Sequence, residues 1–305
     1  MQLAAADQNR RGIAFRELHH GPRAFVIPNP WDAGTAKLLA GLGHPALATT
    51  SAGLAFALGR SDGANLVDRA DTLANARAIV AATPLPVSAD LESGFGPTPL
   101  DVAETIRLAA EAGLVGGSIE DATGDPDRPI HSFEAAVERV TAAAEAARGL
   151  GFPFTLTARC ENYLYGRPDL KDTIRRLQAF EAAGADVLYA PGLPDAEAIR
   201  AVCESVGRPV NVLAGGAGPR LTVDELSELG VRRISLGSAL ARAALGAVLR
   251  AVREIGQDGT FGFGADALPY GDANQLMADE PTADRPVISH LTDRDDDPGE
   301  TRRTP

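Results

Sequence analysis

Eight times along the chain, a short β-branched or apolar run is followed by a polar turn and an amphipathic segment rich in Ala, Leu and Arg. The runs predict β-strands over residues 24–28, 46–50, 86–90, 116–120, 154–159, 186–190, 209–213 and 232–236. The amphipathic segments predict α-helices over residues 33–42, 68–82, 99–112, 132–149, 172–183, 195–206, 223–229 and 238–255. Strands that alternate with helices in this way indicate a parallel sheet with helical crossovers.

The number of these units decides between two architectures. Eight β-then-α units within about 230 residues match a (β/α)8 barrel, whose usual length is ~250 residues. A doubly wound open sheet is the competing fold, but no Gly-x-Gly-x-x-Gly fingerprint follows the first predicted strand. We therefore predict an α/β protein with a (β/α)8 TIM barrel.

The β-then-α pattern stops near residue 264, so we expect a single barrel domain over residues 1–264 with a short N-terminal lead-in. Residues 265–305 then form a C-terminal extension. Its last part, residues 282–305, is rich in Asp, Arg, Thr and Pro and has little to bury, which is typical of a disordered tail.

Charge and apolar content exclude several classes of function. A net charge of −12 over 305 residues argues against nucleic-acid binding, which requires a basic surface. No stretch approaches the roughly 18 to 20 uninterrupted apolar residues of a membrane span, and the first eleven residues lack an apolar core after a basic start, so we expect no secretory signal. With only two cysteines, a disulfide framework is not expected and a reducing cytoplasm is the predicted location.

The third predicted strand ends in two carboxylates. Side chains alternate between the faces of a strand, so Asp90 and Glu92 are expected on the same face as Ser88. Two acids in such a place repel each other and lose hydration unless a cation or a basic group lies between them. The strand end therefore indicates a metal site, with an acidic strand end that faces water as the simpler alternative.

In a (β/α)8 barrel the carboxyl ends of the strands meet at one rim, where the chemistry takes place. The predicted rim collects four carboxylates, one arginine, a turn of hydroxyls and amides, and one side-chain amide: Asp62, Asp90, Glu92, Glu120, Arg159, Thr50, Ser51, Ala52, Gly53 and Asn211. Because this set is rich in oxygen and lacks histidine, it favours Mg²⁺ or Mn²⁺ over zinc. Arg159 can bind a substrate carboxylate with a bidentate pair of hydrogen bonds. The structural alternative is an ion-pair network between Arg159 and the acids.

The sequence lacks the residues that other catalytic mechanisms of barrel enzymes require. The lysines, Lys37 and Lys171, fall on or beside predicted outer helices, which excludes a Schiff-base lysine at a strand end. The five histidines are scattered and do not form a zinc-ligand pattern. No nucleophile elbow of a Ser-His-Asp hydrolase is present in the sequence either.

Six short motifs follow one another in a fixed order: Asn29-Pro30-Trp31-Asp32, Thr49-Thr50-Ser51-Ala52-Gly53, Gly59-Arg60-Ser61-Asp62, Asp90-Leu91-Glu92-Ser93-Gly94-Phe95-Gly96, Ser118-Ile119-Glu120-Asp121 and Thr157-Ala158-Arg159. Their order and spacing resemble the isocitrate lyase/phosphoenolpyruvate mutase superfamily over roughly residues 25–253. The resemblance implies a Mg²⁺-dependent enzyme that acts on small 2-oxo or 2-hydroxy carboxylates. It also implies a last helix swapped between subunits, and hence a homodimer or homotetramer.

The same resemblance implies roles for the acids and the arginine. Asp90 resembles the main metal ligand, and Glu92, Glu120 and Asp62 resemble the acids that hold metal-bound water. We therefore expect Asp90, Glu92 and Glu120 at the metal. Glu120 and Asp62, with the substrate clamp Arg159, are the predicted catalytic residues.

The resemblance also implies a substrate pocket. The turn at residues 50–53 resembles the cradle for the carboxylate and carbonyl of a 2-oxo acid. Trp31 matches a motif near the end of the first strand, and Asp32 beside it is expected to cap the next helix. With Arg159 and Asn211, these residues form the predicted substrate site.

One loop departs from the pattern of this superfamily. Its carbon–carbon lyases carry a Lys-Lys-Cys-Gly-His-type segment after the fourth strand, whereas residues 122–131 here contain neither Cys nor Lys. Decarboxylation of a 2-oxo acid such as oxaloacetate needs an electron sink but no cysteine acid. We therefore predict a lyase that forms a metal-stabilised, pyruvate-type enolate. A phosphonate mutase or hydrolase and a non-catalytic 2-oxo acid binder are the alternatives.

Overall fold

The computed structural model describes residues 5–216 and 218–278. Within these residues, eight parallel strands form a nearly closed barrel in the order β1-β8-β7-β6-β5-β4-β3-β2. The strands are β1 (Phe25–Ile27), β2 (Leu47–Ala48), β3 (Val87–Asp90), β4 (Gly116–Glu120), β5 (Thr155–Arg159), β6 (Val187–Tyr189), β7 (Val210–Leu213) and β8 (Arg233–Ser235). The predicted (β/α)8 TIM barrel is confirmed, and each predicted strand lies where the sequence placed it.

Helices surround this barrel. They are α1 (Ala5–Leu18), α2 (Ala33–Gly41), α3 (Ser51–Ala57), α4 (Arg69–Ala81), α5 (Pro99–Glu111), α6 (Phe133–Arg148), α7 (Leu170–Ala183), α8 (Ala196–Ser205), α9 (Val223–Glu228), α10 (Ala239–Asp258) and α11 (Tyr270–Met277), with a 3₁₀ helix at Gly262–Asp266. The eight predicted helices are all present. The sequence analysis did not predict α1, α3 or α11.

Polar side chains start the helices, as the sequence indicates. Asp32 accepts a hydrogen bond of 2.7 Å from the Thr35 amide, which confirms it as the cap of α2. Asp68 and Asp195 cap α4 and α8 in the same way, each at 2.8 Å. Such a cap is worth about 1 kcal/mol, because it satisfies an amide that the helix leaves without a partner. The caps fix the residue at which each rim loop becomes a helix.

The seam between β1 and β2 is closed by a buried side chain. Asn29 follows β1 and donates from Nδ2 to the Thr49 carbonyl at 2.9 Å, beyond the end of β2. Its Oδ1 accepts from the Leu236 amide at 2.8 Å, just after β8. The Ala48 amide also donates to the Pro28 carbonyl at 3.1 Å. Asn29 therefore joins three strands directly below the rim.

The two ends of the chain pack differently on the barrel. Helix α1 buries Phe15 completely, in a cluster with Ile27, Ala46 and Val115. Helix α11 contacts α2 and buries Leu276. The predicted disordered tail at 282–305 lies outside the described residues.

Helix α10 leaves an apolar face uncovered. Of its 20 residues, Ala241 is the one that is buried. The exposed apolar residues recur at helical spacing along one side and are Leu245, Val248, Leu249, Val252 and Ile255. None of the helices within the described residues, α10 included, is long and apolar enough to cross a membrane. The two cysteines, Cys160 and Cys203, are free thiols.

Candidate active site

Asp90 is the centre of the rim. It is the last residue of β3, and its side chain is 16% exposed. Its Oδ2 accepts a hydrogen bond of 3.0 Å from the Ser51 hydroxyl, and Oδ1 accepts one of 3.4 Å from Ser118. The Thr49 hydroxyl accepts from the Asp90 amide at 3.0 Å. The first turn of α3 and strand β4 therefore hold this carboxylate in one orientation.

The backbone conformation that places Glu92 at the site differs from the predicted one. Strand β3 ends at Asp90, and Glu92 has a φ of +47°, in the left-handed region that a glutamate rarely adopts. Strand alternation therefore does not place its side chain. Glu92 nevertheless lies close enough to Asp90 and Asp62 for their charges to act on it.

Arg159 is enclosed by carboxylates. Its Nη1 lies 3.0 Å from Asp90 and 3.3 Å from Glu120, while Nε and Nη2 each lie 2.9 Å from Glu161 Oε1. Tyr189 lies below, with its ring centre 5.1 Å from the guanidinium carbon. The ion-pair network that the sequence allowed is therefore present. All three nitrogens of the predicted substrate clamp already contact acids of the protein.

Two other acids at the rim have no such partner. Among the described residues, no arginine or lysine forms an ion pair with Asp62 or Glu92. Burial, together with the charges of Asp90 and Asp62, raises the pKa of Glu92 to about 7. Burial and the Asp90 charge also raise the pKa of Asp62. The negative charge around Asp90 thus exceeds what Arg159 balances.

Glu120 is half-buried beside the same arginine. Burial raises the pKa of Glu120 well above its ordinary value, although the charge of Arg159 acts in the opposite direction. The charges of Glu161, Asp90 and Glu92 raise it further. A carboxyl group with a raised pKa is a candidate general acid or base, because this kind of catalysis works best when the pKa lies near the operating pH.

The donor set fits a hard cation that keeps part of its water. In the part of the chain that the structure describes, no three His, Cys, Asp or Glu side chains are grouped so that they could hold a metal ion. Mg²⁺ is commonly bound by one or two carboxylates plus water and substrate oxygens. Asp90 fits the place of a direct ligand, and Glu92 and Asp62 add the uncompensated charge that favours a cation. Direct ligation by Asp90, Glu92 and Glu120 stays a prediction.

The predicted cradle at residues 50–53 is the first turn of α3. The Thr50 hydroxyl accepts from the Gly53 amide at 3.2 Å and so caps the helix. Thr50, Ser51 and Ala52 line a cavity of about 160 Å³ that also contains Asp62, Asp90 and Arg159.

Trp31 and Gly53 are not among the residues that line this cavity. A Cβ atom on Gly53 would lie 3.0 Å from the Trp31 Cβ and 2.5 Å from the Thr50 Cγ2. Gly53 therefore packs closely against Trp31 and Thr50, and substrate contacts by Trp31 and Gly53 stay a prediction.

The lower part of the cavity contains one predicted residue and three that the sequence analysis did not assign. Asn211, predicted to bind substrate, lines the cavity and donates to the Ser235 hydroxyl at 2.9 Å. The three unassigned residues that line it are Tyr189, Arg233 and Ser235. Arg233 and Ser235 alternate along the predicted eighth strand, so an inward face was a signal that could have found them.

A larger cavity, of about 1040 Å³, lies beside the rim. It is lined by residues at 65–70, at 92–97 and in the loop at 123–132. That loop is folded back on itself by a bridge between Ala122 and Ile130 and by an ion pair of 3.2 Å between Asp125 and Arg128. Glu92 borders this larger cavity.

The fold and the rim together define a (β/α)8-barrel enzyme with an acid-rich site for small, oxygen-rich ligands. The profile of the phosphoenolpyruvate phosphomutase family matches residues 15–256. The chain belongs to this family, and so to the isocitrate lyase/phosphoenolpyruvate mutase superfamily that its motifs resemble.

Curated relatives of this chain are carbon–carbon lyases. Oxaloacetate decarboxylase of Bradyrhizobium diazoefficiens is 31% identical, over 78% of this chain and 84% of the relative. The 2,3-dimethylmalate lyase of Eubacterium barkeri is 30% identical, over 70% of this chain and 75% of the relative. The prediction of an enzyme of this superfamily is confirmed.

Solved structures support the same family assignment. A Burkholderia cenocepacia J2315 protein described as a candidate lyase or mutase is 61% identical, with a TM-score of 0.87 over 90% of this chain and 98% of that one. Phosphonopyruvate hydrolase, solved with oxalate and Mg²⁺, is 25% identical, with a TM-score of 0.78 over 88% of this chain and 94% of that one.

Proposed function

We propose that this protein is a Mg²⁺-dependent lyase that acts on a small 2-oxo or 2-hydroxy carboxylic acid. The observation that carries the proposal is the excess of negative charge around Asp90, where Glu92 and Asp62 lack a basic partner among the described residues. A bound divalent cation would supply that partner, and Mn²⁺ could replace Mg²⁺. The Mg²⁺ bound to phosphonopyruvate hydrolase supports this choice of ion.

The residues at the rim would have different roles in the reaction. Asp90 would hold the cation directly, and Glu92, Asp62 and Glu120 would orient its water. Mg²⁺ in this place would act as the electron sink for a pyruvate-type enolate. Arg159, fixed by its three acids, would present a positive charge without needing to reorganise during the reaction.

Bond cleavage of this kind does not require a cysteine acid. The loop at residues 122–131 contains neither Cys nor Lys, so the proton must come from another group or from water. Glu120, whose pKa is raised by burial, is the protein group beside Arg159 that is best suited to hold one. Decarboxylation of a compound such as oxaloacetate matches these groups, and a relative bears the name of that activity.

The proposed activity can be measured as pyruvate release from oxaloacetate and from substituted malates, with and without Mg²⁺. We expect turnover that depends on Mg²⁺ and a loss of at least about 100-fold in the Asp90→Ala variant, since metal catalysis contributes several kcal/mol. Glu111→Ala, a carboxylate exposed at the end of α5, is the matched control. Equal rates for Asp90→Ala and wild type would refute the proposal.

A phosphonate mutase or hydrolase is the second candidate, because phosphonopyruvate hydrolase has the same fold and because of the family profile. Phosphonopyruvate assayed by phosphorus NMR separates the two activities, and an unchanged spectrum removes this candidate. A non-catalytic 2-oxo acid binder would instead show ligand-dependent thermal stabilisation without any product.

We also propose that α10 packs against a second copy of the chain. Its apolar side chains Leu245, Val248, Leu249 and Val252 are 50–61% exposed and lie on one face. A patch of this kind on a long helix favours an interface with another protein surface. The swapped last helix that the resemblance to the superfamily implies makes a homodimer or homotetramer the proposed assembly.

A further inference from the structure

We propose that Arg233 binds a second anionic group of the substrate at the bottom of the cavity, so that the enzyme takes a 2-oxo or 2-hydroxy dicarboxylic acid. This inference rests on the proposed function, because it uses the same cavity. It adds a residue that none of the sequence motifs contains.

Arg233 is a buried cation at the inner end of the cavity. It is the first residue of β8, is 6% exposed and lines the same 160 Å³ space as Asp90 and Arg159. Its Nε donates to Asn211 Oδ1 at 2.9 Å. Its Nη1 lies 3.4 Å from His19 Nε2. No carboxylate of the described residues forms an ion pair with it.

His19 does not supply the missing negative charge. Its Nδ1 lies 2.8 Å from the Phe15 carbonyl and donates to it, which leaves Nε2 as an acceptor for Arg233. Burial and the charge of Arg233 lower the pKa of His19 to about 3, so the ring is neutral at neutral pH. Both side-chain partners of Arg233, the Asn211 amide and this imidazole, are therefore uncharged.

The two arginines of the cavity thus differ in charge balance. Arg159 touches Asp90, Glu120 and Glu161, whereas Arg233 touches neutral groups only among the described residues. Burial lowers the pKa of Arg233 to about 10, which still leaves it charged at neutral pH. A buried charge without a counter-ion is costly, and a ligand anion would remove that cost.

This difference gives the cavity two ends of opposite sign. Asp62 and Asp90 make the outer end negative and suited to a cation, and Arg233 makes the inner end positive and suited to an anion. The cavity is small, about 160 Å³, which favours a short acid. A four- or five-carbon 2-oxo dicarboxylate meets both ends, with its 2-oxo carboxylate at the rim and its other carboxylate on Arg233.

Two acids of equal length test the inference directly: 2-oxoglutarate carries the second carboxylate, and 2-oxopentanoate lacks it. Isothermal titration calorimetry of the full chain with each acid in the presence of Mg²⁺ measures binding without requiring turnover. We expect 2-oxoglutarate to bind wild type at least about 10-fold more tightly. Arg233→Met should weaken 2-oxoglutarate binding by about 10- to 100-fold and leave 2-oxopentanoate within about twofold, as expected for loss of a charge-assisted hydrogen bond.

Arg232→Met is the matched control, because Arg232 is the adjacent arginine and its Nη1 bonds the Val231 carbonyl instead of lining the cavity. It should leave both affinities unchanged. Arg233→Lys keeps the charge and should retain part of the preference, and it replaces Arg233→Met if thermal unfolding shows that the latter does not fold. If wild type does not prefer 2-oxoglutarate, or if Arg233→Met weakens both acids equally, the inference is wrong.

Failure of this inference and failure of the proposed function give different results. A wild-type enzyme that turns over with Mg²⁺ but binds the two acids equally would remove only the role of Arg233. A protein that binds 2-oxoglutarate through Arg233 but turns over none of the acids would remove only the catalytic proposal.

Discussion

Arg159 on β5 and Asp90 on β3 form an ion pair of 3.0 Å across β4, the strand that lies between them. The strand register pairs Asp90 with Ser118 and Arg159 with Glu120, so the contact spans β4 and an offset of two residues along it. It ties three strands together at the rim. Among the described residues, Asp62 and Glu92 form no ion pair, and the charge of Arg159 lowers their pKa values less than burial and the neighbouring acids raise them.

Glu161 is expected to position Arg159. It is 2% exposed, and one of its carboxylate oxygens contacts Nε and Nη2 of Arg159 at 2.9 Å. Glu161→Gln keeps the size but loses the charge, so we expect kcat/KM to fall by about 10- to 100-fold and stability by about 1.5–3 kcal/mol. Glu104→Gln, which removes an exposed ion pair with Arg107, should change stability by less than about 0.5 kcal/mol. Steady-state kinetics and urea unfolding measure both variants, and wild-type values for Glu161→Gln would contradict this role.

Glu92 makes stability depend on pH when no divalent cation is present. Because its pKa rises from 4.5 to about 7 on folding, the folded state binds more protons than the unfolded state in this interval. Stability should therefore fall as pH rises from about 5 to 7, by up to about 3 kcal/mol from this group. Thermal unfolding in chelator at pH 5, 6, 7 and 8 measures the effect. Glu92→Gln should flatten the profile, and an equal slope in that variant would assign the effect to other groups.

Gly53 is expected to be required for the wall behind the cavity. An added Cβ would lie 2.5 Å from Thr50 Cγ2 and 3.0 Å from Trp31 Cβ, so the first turn of α3 must shift. Gly53→Ala should cost about 1–3 kcal/mol and raise KM. Gly256→Ala is the control, because no atom lies within 4 Å of its added Cβ and alanine favours a helix. Unfolding measurements give the stability of each variant, and steady-state kinetics give its KM. If Gly53→Ala and Gly256→Ala have the same stability and the same KM, Gly53 does not have this role.

The apolar face of α10 should determine the oligomeric state. Leu249→Asp places a charge in the centre of that face and should shift a dimer or tetramer toward monomer. Leu100→Asp is the control, since Leu100 is 77% exposed on α5 and away from α10. Sedimentation velocity reports the mass of each variant. A wild-type chain that sediments as a monomer, or a Leu249→Asp variant with unchanged mass, would contradict the proposed interface.

Local sequence was sufficient for most of the barrel. Short apolar runs, capping residues and helix-ending glycines specify each β-then-α unit by contacts within a few residues, which is why all eight units were predicted. Helices α1, α3 and α11 were missed because their apolar residues are few or their length is short. Their packing, such as Leu276 of α11 being buried, depends on distant parts of the chain.

The site was predictable only where strand alternation applies. Asp90, Glu120 and Arg159 end their strands and meet as predicted. Glu92 lies beyond the end of β3 in a left-handed conformation, which no local pattern indicates for a glutamate. The contact of Arg233 with His19 joins residues 214 positions apart, and it forms only because α1 packs on the barrel. Charge balance inside the cavity is therefore a property of the fold and cannot be read from the motifs.

A calorimetric titration of the full chain with Mg²⁺ or Mn²⁺, while oxalate is present, tests whether a hard divalent ion binds beside Asp90. We expect uptake of one ion per chain in wild type and a loss of at least about 100-fold in affinity in Asp90→Ala, with Glu111→Ala unchanged. No uptake by wild type, or equal affinity in Asp90→Ala, would contradict the account.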